Sequence, residues 1–143
     1  MPHVADKKVT VADFDHEYVA NASRYAQCEE RIREFFPLCE FDGPKRVLDI
    51  GAGAGWLGRH LADQGHDVTL VDLSPEAVKI ARRVAPECEV VCADMLDFLR
   101  GNEERFDVVV LTDVVEEIYQ DQLDPLLEMT KGAEVLILST STH

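Results

Sequence analysis

Glycines and acidic side chains meet at the end of a short apolar run in this chain. Asp49 lies inside the run, and Gly51, Gly53 and Gly55 follow it at alternate positions. Glycine has no Cβ, so it adopts positive φ readily and lets a bound molecule lie against the main chain. Three glycines at alternate positions are hard to explain as a turn alone. The pattern therefore predicts a loop whose backbone closely approaches a ligand.

Acids also end three later apolar runs. They are Asp72, Asp94 and Asp113, and Thr112 directly precedes the last of them. Carboxylates accept hydrogen bonds from hydroxyl and amino groups and attract cations. These positions predict a ligand site that is lined by acidic side chains.

The spacing of the glycines argues against a dinucleotide. That ligand requires G-x-G-x-x-G directly after the strand, but here this spacing starts at Gly53, three residues after Ile50. Asp49, which we expect at the lip of the site, would also oppose a pyrophosphate. The residues favour a phosphate-free, partly cationic ligand.

Five short runs rich in Val, Leu and Ile predict strands that are buried on both faces of a sheet. Helical stretches between them make the pattern one of βαβ units, and right-handed crossovers then give an α/β fold with a doubly wound, mostly parallel sheet and helices on both faces. In such sheets the ligand binds beyond the carboxyl ends of the strands, where the strand order reverses. The predicted strands are Arg46–Ile50, Asp67–Val71, Glu89–Cys92, Phe106–Leu111 and Val135–Leu138. The predicted helices are Gly55–Gln64, Pro75–Val84, Met95–Arg100 and Glu116–Lys131.

The N-terminal part of the chain has a different pattern. Residues 14–39 carry apolar side chains at helical spacing, which predicts one or two helices that end at Asp42-Gly43-Pro44. We therefore expect an N-terminal helical segment at residues 1–44 and a core at residues 45–143, together forming one compact domain.

Composition limits the partners and the location. The 143 residues carry a formal net charge of −14, which would repel DNA or RNA. No apolar run approaches the length needed to cross a bilayer, and the first residues lack the apolar segment of a signal peptide. We expect a cytoplasmic protein that binds neither nucleic acid nor membrane.

The four cysteines lack the C-x-x-C spacing of zinc sites, so no metal is predicted. Cys88 and Cys92 flank a predicted strand and are interpreted as packing residues.

Four strand-end features, in this order, resemble the class I S-adenosylmethionine-dependent methyltransferases. Residues 49–55 resemble the first motif of that family, and Asp72, 23 residues after Asp49, resembles its ribose-binding acid. Asp94-Met95 matches the third-strand position, and residues 106–113 resemble the fourth-strand motif that lines the methionine half of the cofactor. The resemblance covers about residues 45 to 139.

This resemblance implies S-adenosylmethionine as the cofactor and S-adenosylhomocysteine as the product. It places Leu73 beside the adenine, Asp94 at the adenine amino group and Met95 against the ring. Trp56 either belongs to the core or lines the methionine end. Tyr25, seven residues after Tyr18, either closes over the cofactor in an N-terminal lid or packs in an ordinary amphipathic helix. The implied cofactor-binding residues are Asp49, Gly51, Ala52, Gly53, Gly55, Trp56, Asp72, Leu73, Asp94, Met95, Thr112 and Tyr25.

Several of these residues have a structural alternative. Asp94 could only cap the helix that starts at Met95, and Ser74 is expected to cap the helix that starts at Pro75. Asp113 and Glu116 have the spacing of a capping box, yet they are also candidates for a general base, as is His16. No motif assigns that role to any of the three.

The predicted function is methyl transfer to N or O of a small molecule. The fourth strand lacks the motif of enzymes that methylate amino groups of DNA bases. The family usually ends in an antiparallel strand pair, which we expect to be missing here. Either the sequence is a fragment of a longer chain, or a homodimer mate or a partner subunit covers the fifth strand. The alternative function is a non-catalytic or accessory subunit that binds S-adenosylmethionine and acts with a partner chain.

Overall fold

The computed structural model describes residues 32–112 and 120–139. They form a five-stranded parallel sheet in the order β3-β2-β1-β4-β5. The strand order reverses between β1 and β4, which are adjacent in the sheet but not in the chain. The predicted doubly wound α/β fold is confirmed. The strands are β1 at Arg46–Ile50, β2 at Asp67–Asp72, β3 at Glu89–Cys92, β4 at Val108–Thr112 and β5 at Val135–Ser139.

Four helices connect the described strands. One of them, Pro75–Val84, has the predicted bounds, and two others differ from the prediction by one residue at each changed end. The predicted start of the last helix, Glu116, lies outside the described residues. The helices are α1 at Trp56–Asp63, α2 at Pro75–Val84, α3 at Met95–Gly101 and α4 at Gln120–Thr130, and a 3-10 helix at Phe36–Cys39 precedes β1.

Strand β4 starts two residues later than predicted. Asp107 precedes it and already contacts β1, because its N–H donates to the carbonyl oxygen of Arg46 and its Oδ2 accepts from the Arg46 N–H at 2.9 Å. The Asp107 side chain thus accepts the Arg46 N–H, in place of the backbone pairing that an earlier start of β4 would bring.

Both faces of the sheet are covered. Val47 faces a cluster that includes Leu61 of α1 and Ala81 of α2. Leu48, the next residue of β1, faces a second cluster that includes Leu126 of α4. Successive strand residues point to opposite faces, so a continuous apolar run in β1 supplies both cores.

The ends of two helices agree with their sequence signals. The Ser74 hydroxyl accepts a hydrogen bond from the Ala77 N–H at 3.2 Å, which caps α2 before Pro75 at its first turn. Gly65, after α1, has a φ of 93°, as expected for a residue that follows a helix C-terminus.

The N-terminal segment is described only from residue 32 onward. Ile32 and Phe36 pack with the buried Cys39 against the first core cluster, so the end of this segment covers the α1 face of the sheet. The remainder of the predicted helices, including Tyr18 and Tyr25, lies outside the described residues. The division between residues 1–44 and 45–143 stays a prediction.

The sheet has an apolar edge. β5 is its last strand, and Val135 and Leu136 are each 38% exposed. At the other side of the sheet, the interpretation of Cys92 as a packing residue is wrong, since this side chain at the end of β3 is exposed. None of the helices in the described ranges is long and apolar enough to cross a membrane.

Candidate functional site

The glycine loop between β1 and α1 lies where the strand order reverses. Gly51, Gly53 and Gly55 have φ values of 71°, 58° and 84°, which residues other than glycine rarely adopt. The N–H groups of Gly51 and Ala52 both donate to the carbonyl oxygen of Val71, at 2.8 and 3.2 Å. The loop is therefore attached to the end of β2 and presents bare backbone at the carboxyl edge of the sheet.

Close packing explains one of the glycines. A Cβ on Gly55 would lie 3.1 Å from the Cβ and 3.2 Å from the Cα of Ala81 in α2. This glycine allows α1 to start directly against α2, so its role in helix packing is independent of any ligand.

Asp72 connects two loops of the site. Its Oδ2 accepts a hydrogen bond from the Gly53 N–H at 2.9 Å, and its Oδ1 accepts one from the Ser74 N–H at 2.9 Å. The Asp-x-Ser order signals the second bond in the sequence, since an aspartate often accepts from the N–H two residues later. Sequence reasoning missed the first bond, which spans 19 residues. Asp72 therefore shapes the glycine loop as well as the edge of the site.

Asp49 is buried within β1. It is only 1% exposed, so the expectation that it lies at the lip of the site is wrong with respect to solvent. Its Oδ1 has no hydrogen-bond partner in the described part of the chain. Burial, together with the smaller effect of the nearby negative charge of Asp72, raises the pKa of Asp49 to about 8. The carboxyl group is thus neutral at moderate pH.

The cause is the position of Asp49 in a central strand. β1 is paired on both sides, with Leu70 of β2 and Val110 of β4 opposite Asp49. Neither neighbour offers a polar side chain. A buried carboxyl that lacks such compensation is costly to ionise, and a bound cation would reduce that cost.

The other predicted cofactor residues occupy the same edge. Asp94 caps α3, because its Oδ1 accepts from the N–H groups of Leu96 at 3.0 Å and Asp97 at 3.1 Å. Met95 packs against the second core cluster. Both residues therefore have structural roles, and their binding roles stay predictions.

The remaining cofactor candidates lie at the ends of strands or at the start of a helix. Trp56 is the first residue of α1 and is half-buried, as is Leu73 directly after β2. Thr112 ends β4 opposite Ser139 of β5. These three positions bring β2, β4 and α1 to one edge, as predicted.

Four predicted site residues lie outside the described ranges. They are the catalytic candidates His16, Asp113 and Glu116 and the cofactor candidate Tyr25. Their roles stay predictions.

A different cavity, of about 630 Å³, lies near the amino ends of the strands. The two imidazoles that line it already make structural contacts. His60 stacks on Phe36 with ring centroids 3.6 Å apart, and His66 Nδ1 accepts from the Lys45 N–H at 3.0 Å. Burial lowers the pKa of His60. Among the described residues, no group of three His, Cys, Asp or Glu side chains could hold a metal ion. This cavity shares no residue with the carboxyl edge.

The geometry of the carboxyl edge fits a phosphate-free cationic ligand. The glycines provide backbone that a ligand can contact, Asp72 offers an anchored carboxylate, and Asp49 holds a buried oxygen atom that lacks a partner among the described residues. Together they accept hydrogen bonds and counter positive charge, and neither carboxyl group would favour a phosphate.

Comparisons with known proteins agree with this geometry. A family model described as a methyltransferase domain matches residues 47–132. The ubiquinone biosynthesis O-methyltransferase of Schizosaccharomyces pombe, a mitochondrial protein, is 38% identical over an alignment of 104 residues that covers 67% of this chain and 38% of that protein. The aligned chain thus spans well under half of that relative.

Solved structures show the same fold. A TehB-like SAM-dependent methyltransferase from Corynebacterium glutamicum has 27% sequence identity and a TM-score of 0.62, over 84% of this chain and 66% of that chain. The glycopeptide N-methyltransferase MtfA, crystallised with sinefungin, has 27% identity and a TM-score of 0.58, over 76% of this chain and 45% of that chain.

Proposed function

The chain belongs to the methyltransferase domain family, and we propose that it binds S-adenosylmethionine at the carboxyl edge of its sheet and transfers the methyl group to O or N of a small molecule. One observation carries the proposal. Asp72 is anchored by two main-chain N–H groups beside the glycine loop, at the point where the strand order reverses. Ligands of open α/β sheets bind at such points.

Each part of the cofactor has residues suited to it. Both Asp72 oxygens accept main-chain N–H groups at this edge, and a carboxylate is an acceptor suited to the ribose hydroxyls. Leu73, Asp94 and Met95 would surround the adenine. The glycine loop, with Asp49, would hold the methionine end, which carries the positive charge.

The chemistry requires little from the protein beyond alignment. S-adenosylmethionine supplies a methyl group that is already activated by its sulfonium. The chain must align the acceptor with that methyl group and exclude water. A general base is needed when the acceptor is a hydroxyl or an ammonium group, and His16, Asp113 and Glu116 remain the proposed candidates.

Two features favour a small acceptor. The net charge of −14 opposes binding of nucleic acid. The named activity of the Schizosaccharomyces pombe relative is O-methylation, which favours an oxygen acceptor over nitrogen.

Calorimetry tests the cofactor first. Titration with S-adenosylmethionine or S-adenosylhomocysteine should show binding at one site, whereas NAD should not bind. The variant Asp72→Asn should weaken binding at least tenfold, because a single hydrogen bond to a charged group contributes about 1.5–3 kcal/mol. The matched control is Asp67→Asn at the opposite end of β2, which should leave the affinity unchanged.

Transfer is tested with methyl-labelled S-adenosylmethionine and a panel of small hydroxyl and amino compounds. Label recovered in an acceptor supports the enzyme. Binding without transfer to any compound, with and without co-purifying chains, would favour the accessory subunit instead. NAD binding at the loop would contradict both functions.

A partner at the edge of the sheet and a cytoplasmic location are further proposals. The half-exposed Val135 and Leu136 on β5 support a second copy or a partner subunit at that edge, and a monomer in light scattering at high concentration would contradict it. The high negative charge supports a protein that avoids membranes. Fractionation of cells that make the tagged protein tests the location, with mitochondrial recovery as the contrary result.

A further inference from the structure

The carboxyl group of Asp49 is the least compensated polar group among the described residues. It is 1% exposed, and its Oδ1 is the buried side-chain atom that lacks a hydrogen-bond partner. Buried polar atoms nearly always have a partner, so an exception next to a ligand loop calls for a physical explanation. A carboxyl in this position is much easier to bury as the neutral acid than as the anion.

The titratable groups around Asp49 do not compensate it. The negative charge of Asp72, at the end of the neighbouring strand, disfavours a second negative charge. The thiols of Cys39 and Cys88 pack in the core cluster on the same side of the sheet. Burial and the charge of Asp49 raise the pKa of both thiols to about 11, so they stay neutral in the range where Asp49 titrates.

We propose that Asp49 is a carboxylic acid in the empty protein and loses its proton when a cationic ligand binds beside the glycine loop. The inference rests on the proposed function, because the cation is either the ammonium or the sulfonium of S-adenosylmethionine. The O–H bond of the acid breaks, its electron pair stays on the carboxylate, and the proton goes to solvent. No covalent bond forms between Asp49 and the ligand.

Such coupling makes affinity depend on pH. Burial and the charge of Asp72 raise the pKa of Asp49 to about 8, so the empty site is protonated below that pH. If only the carboxylate binds the cation well, the affinity should rise about tenfold per pH unit up to that point. Binding at pH 6.5 should then release close to one proton from Asp49.

Calorimetry counts that proton. S-adenosylmethionine is titrated into the protein at pH 6.5 in buffers of different ionisation enthalpy, and the slope of the observed enthalpy gives the number of protons released. The same titration with Asp49→Asn corrects for protons exchanged by the ligand itself and by other groups. We expect the wild-type protein to release about one proton more than the variant.

S-adenosylhomocysteine separates the two sources of positive charge, because it keeps the ammonium and lacks the sulfonium. Release with both ligands supports the ammonium as the partner of Asp49, and release with S-adenosylmethionine alone supports the sulfonium. Binding without extra release by the wild-type protein overturns the inference and leaves the proposed function intact. Failure of both ligands to bind would instead overturn the proposed function.

A spectroscopic measurement keeps the test independent of the variant. In protein labelled with ¹³C at aspartate side-chain carboxyls, one resonance should titrate near pH 8 in the empty protein and shift to the carboxylate position at pH 6.5 when S-adenosylmethionine is added. A resonance set that titrates only near the ordinary aspartate pKa would contradict the proposal.

Discussion

The two edges of the sheet treat their acids differently. At the amino edge, three exposed acids meet cationic side chains: Arg46 lies 2.7 Å from Glu104 and 3.5 Å from Asp67, and Lys45 lies 3.4 Å from Glu134. Asp107, before β4, instead accepts a main-chain N–H. At the carboxyl edge, acids meet main-chain N–H groups or, at Asp49 Oδ1, no described partner at all. The amino edge is thus neutralised within the fold, whereas the carboxyl edge keeps a negative potential for a cationic ligand.

Burial distinguishes the edges as well. The side chains of Asp67 and Glu104 at the amino edge are 72% and 56% exposed, so their charges are screened by water. Asp49 is buried, so water would not screen its charge once it ionises. The comparison teaches that the position of an acid relative to solvent, more than the number of acids, decides where a charge can act on a ligand.

Asp49 gives the largest test of this comparison. Its pKa is raised to about 8 in the folded protein from an ordinary value of 3.8, so the folded state keeps a proton that the unfolded state has lost between these two values. The free energy of unfolding should therefore fall as pH rises through this window, by about 1.4 kcal/mol per pH unit, and level off above it.

Urea unfolding of the wild-type protein and Asp49→Asn at pH 5 and pH 7.5 measures this. The variant lacks the titrating group, so its free energy of unfolding should fall by about 3 kcal/mol less than that of the wild type over the same range. Parallel curves for the two proteins would show that Asp49 is not a buried acid.

Asp72 gives the next largest effect. Asp72→Ala leaves the N–H groups of Gly53 and Ser74 without their acceptor and should lower the free energy of unfolding by about 2–3 kcal/mol. Asp67→Ala, at the amino end of the same strand, should cost well under 1 kcal/mol because its ion pair is exposed. Equal losses in chemical unfolding would remove the distinction between the two edges.

The glycine loop offers an effect of comparable size with a matched control. Gly55→Ala forces a Cβ to 3.1 Å from Ala81 at a φ of 84°, and we expect a loss of about 2–3 kcal/mol. Gly65→Ala has a similar φ of 93° and open space around it, so only the backbone strain of about 1 kcal/mol remains. Thermal unfolding of both variants separates packing from strain, and a larger loss at Gly65 would contradict the close approach of α1 to α2.

The smallest effect is expected at the amino edge. Arg46→Met removes the contacts to Glu104 and Asp67 and retains an apolar side chain near the Phe106 ring. The loss should be about 0.5 kcal/mol and should vanish at high salt, because the Arg46 side chain is 42% exposed. A loss above 2 kcal/mol that persists in 1 M salt would mean that this edge stores as much electrostatic energy as the carboxyl edge.

Much of the fold could be predicted from the sequence because its signals are local. The apolar runs gave the strands, and Ser74-Pro75 gave the start of α2. The boundary of β4 was wrong at Phe106 and Asp107, since a bond between Asp107 and Arg46 across 61 residues replaces strand pairing there. The interpretation of Cys92 as a packing residue was wrong. Its exposure depends on the position of β3 at the edge of the sheet, and the sequence of β3 alone does not reveal that position.

The sequence by itself determined the order of the elements, the glycine loop and the acids that follow the strands, because each depends on a few neighbouring residues. Only the tertiary structure decided what those acids do. It joined Asp72 to Gly53, and it placed Asp49 between two fully paired neighbours with Asp72 close by. The proton affinity of a carboxyl group depends on burial and on charges from distant parts of the chain, and these exist only once the sheet has formed.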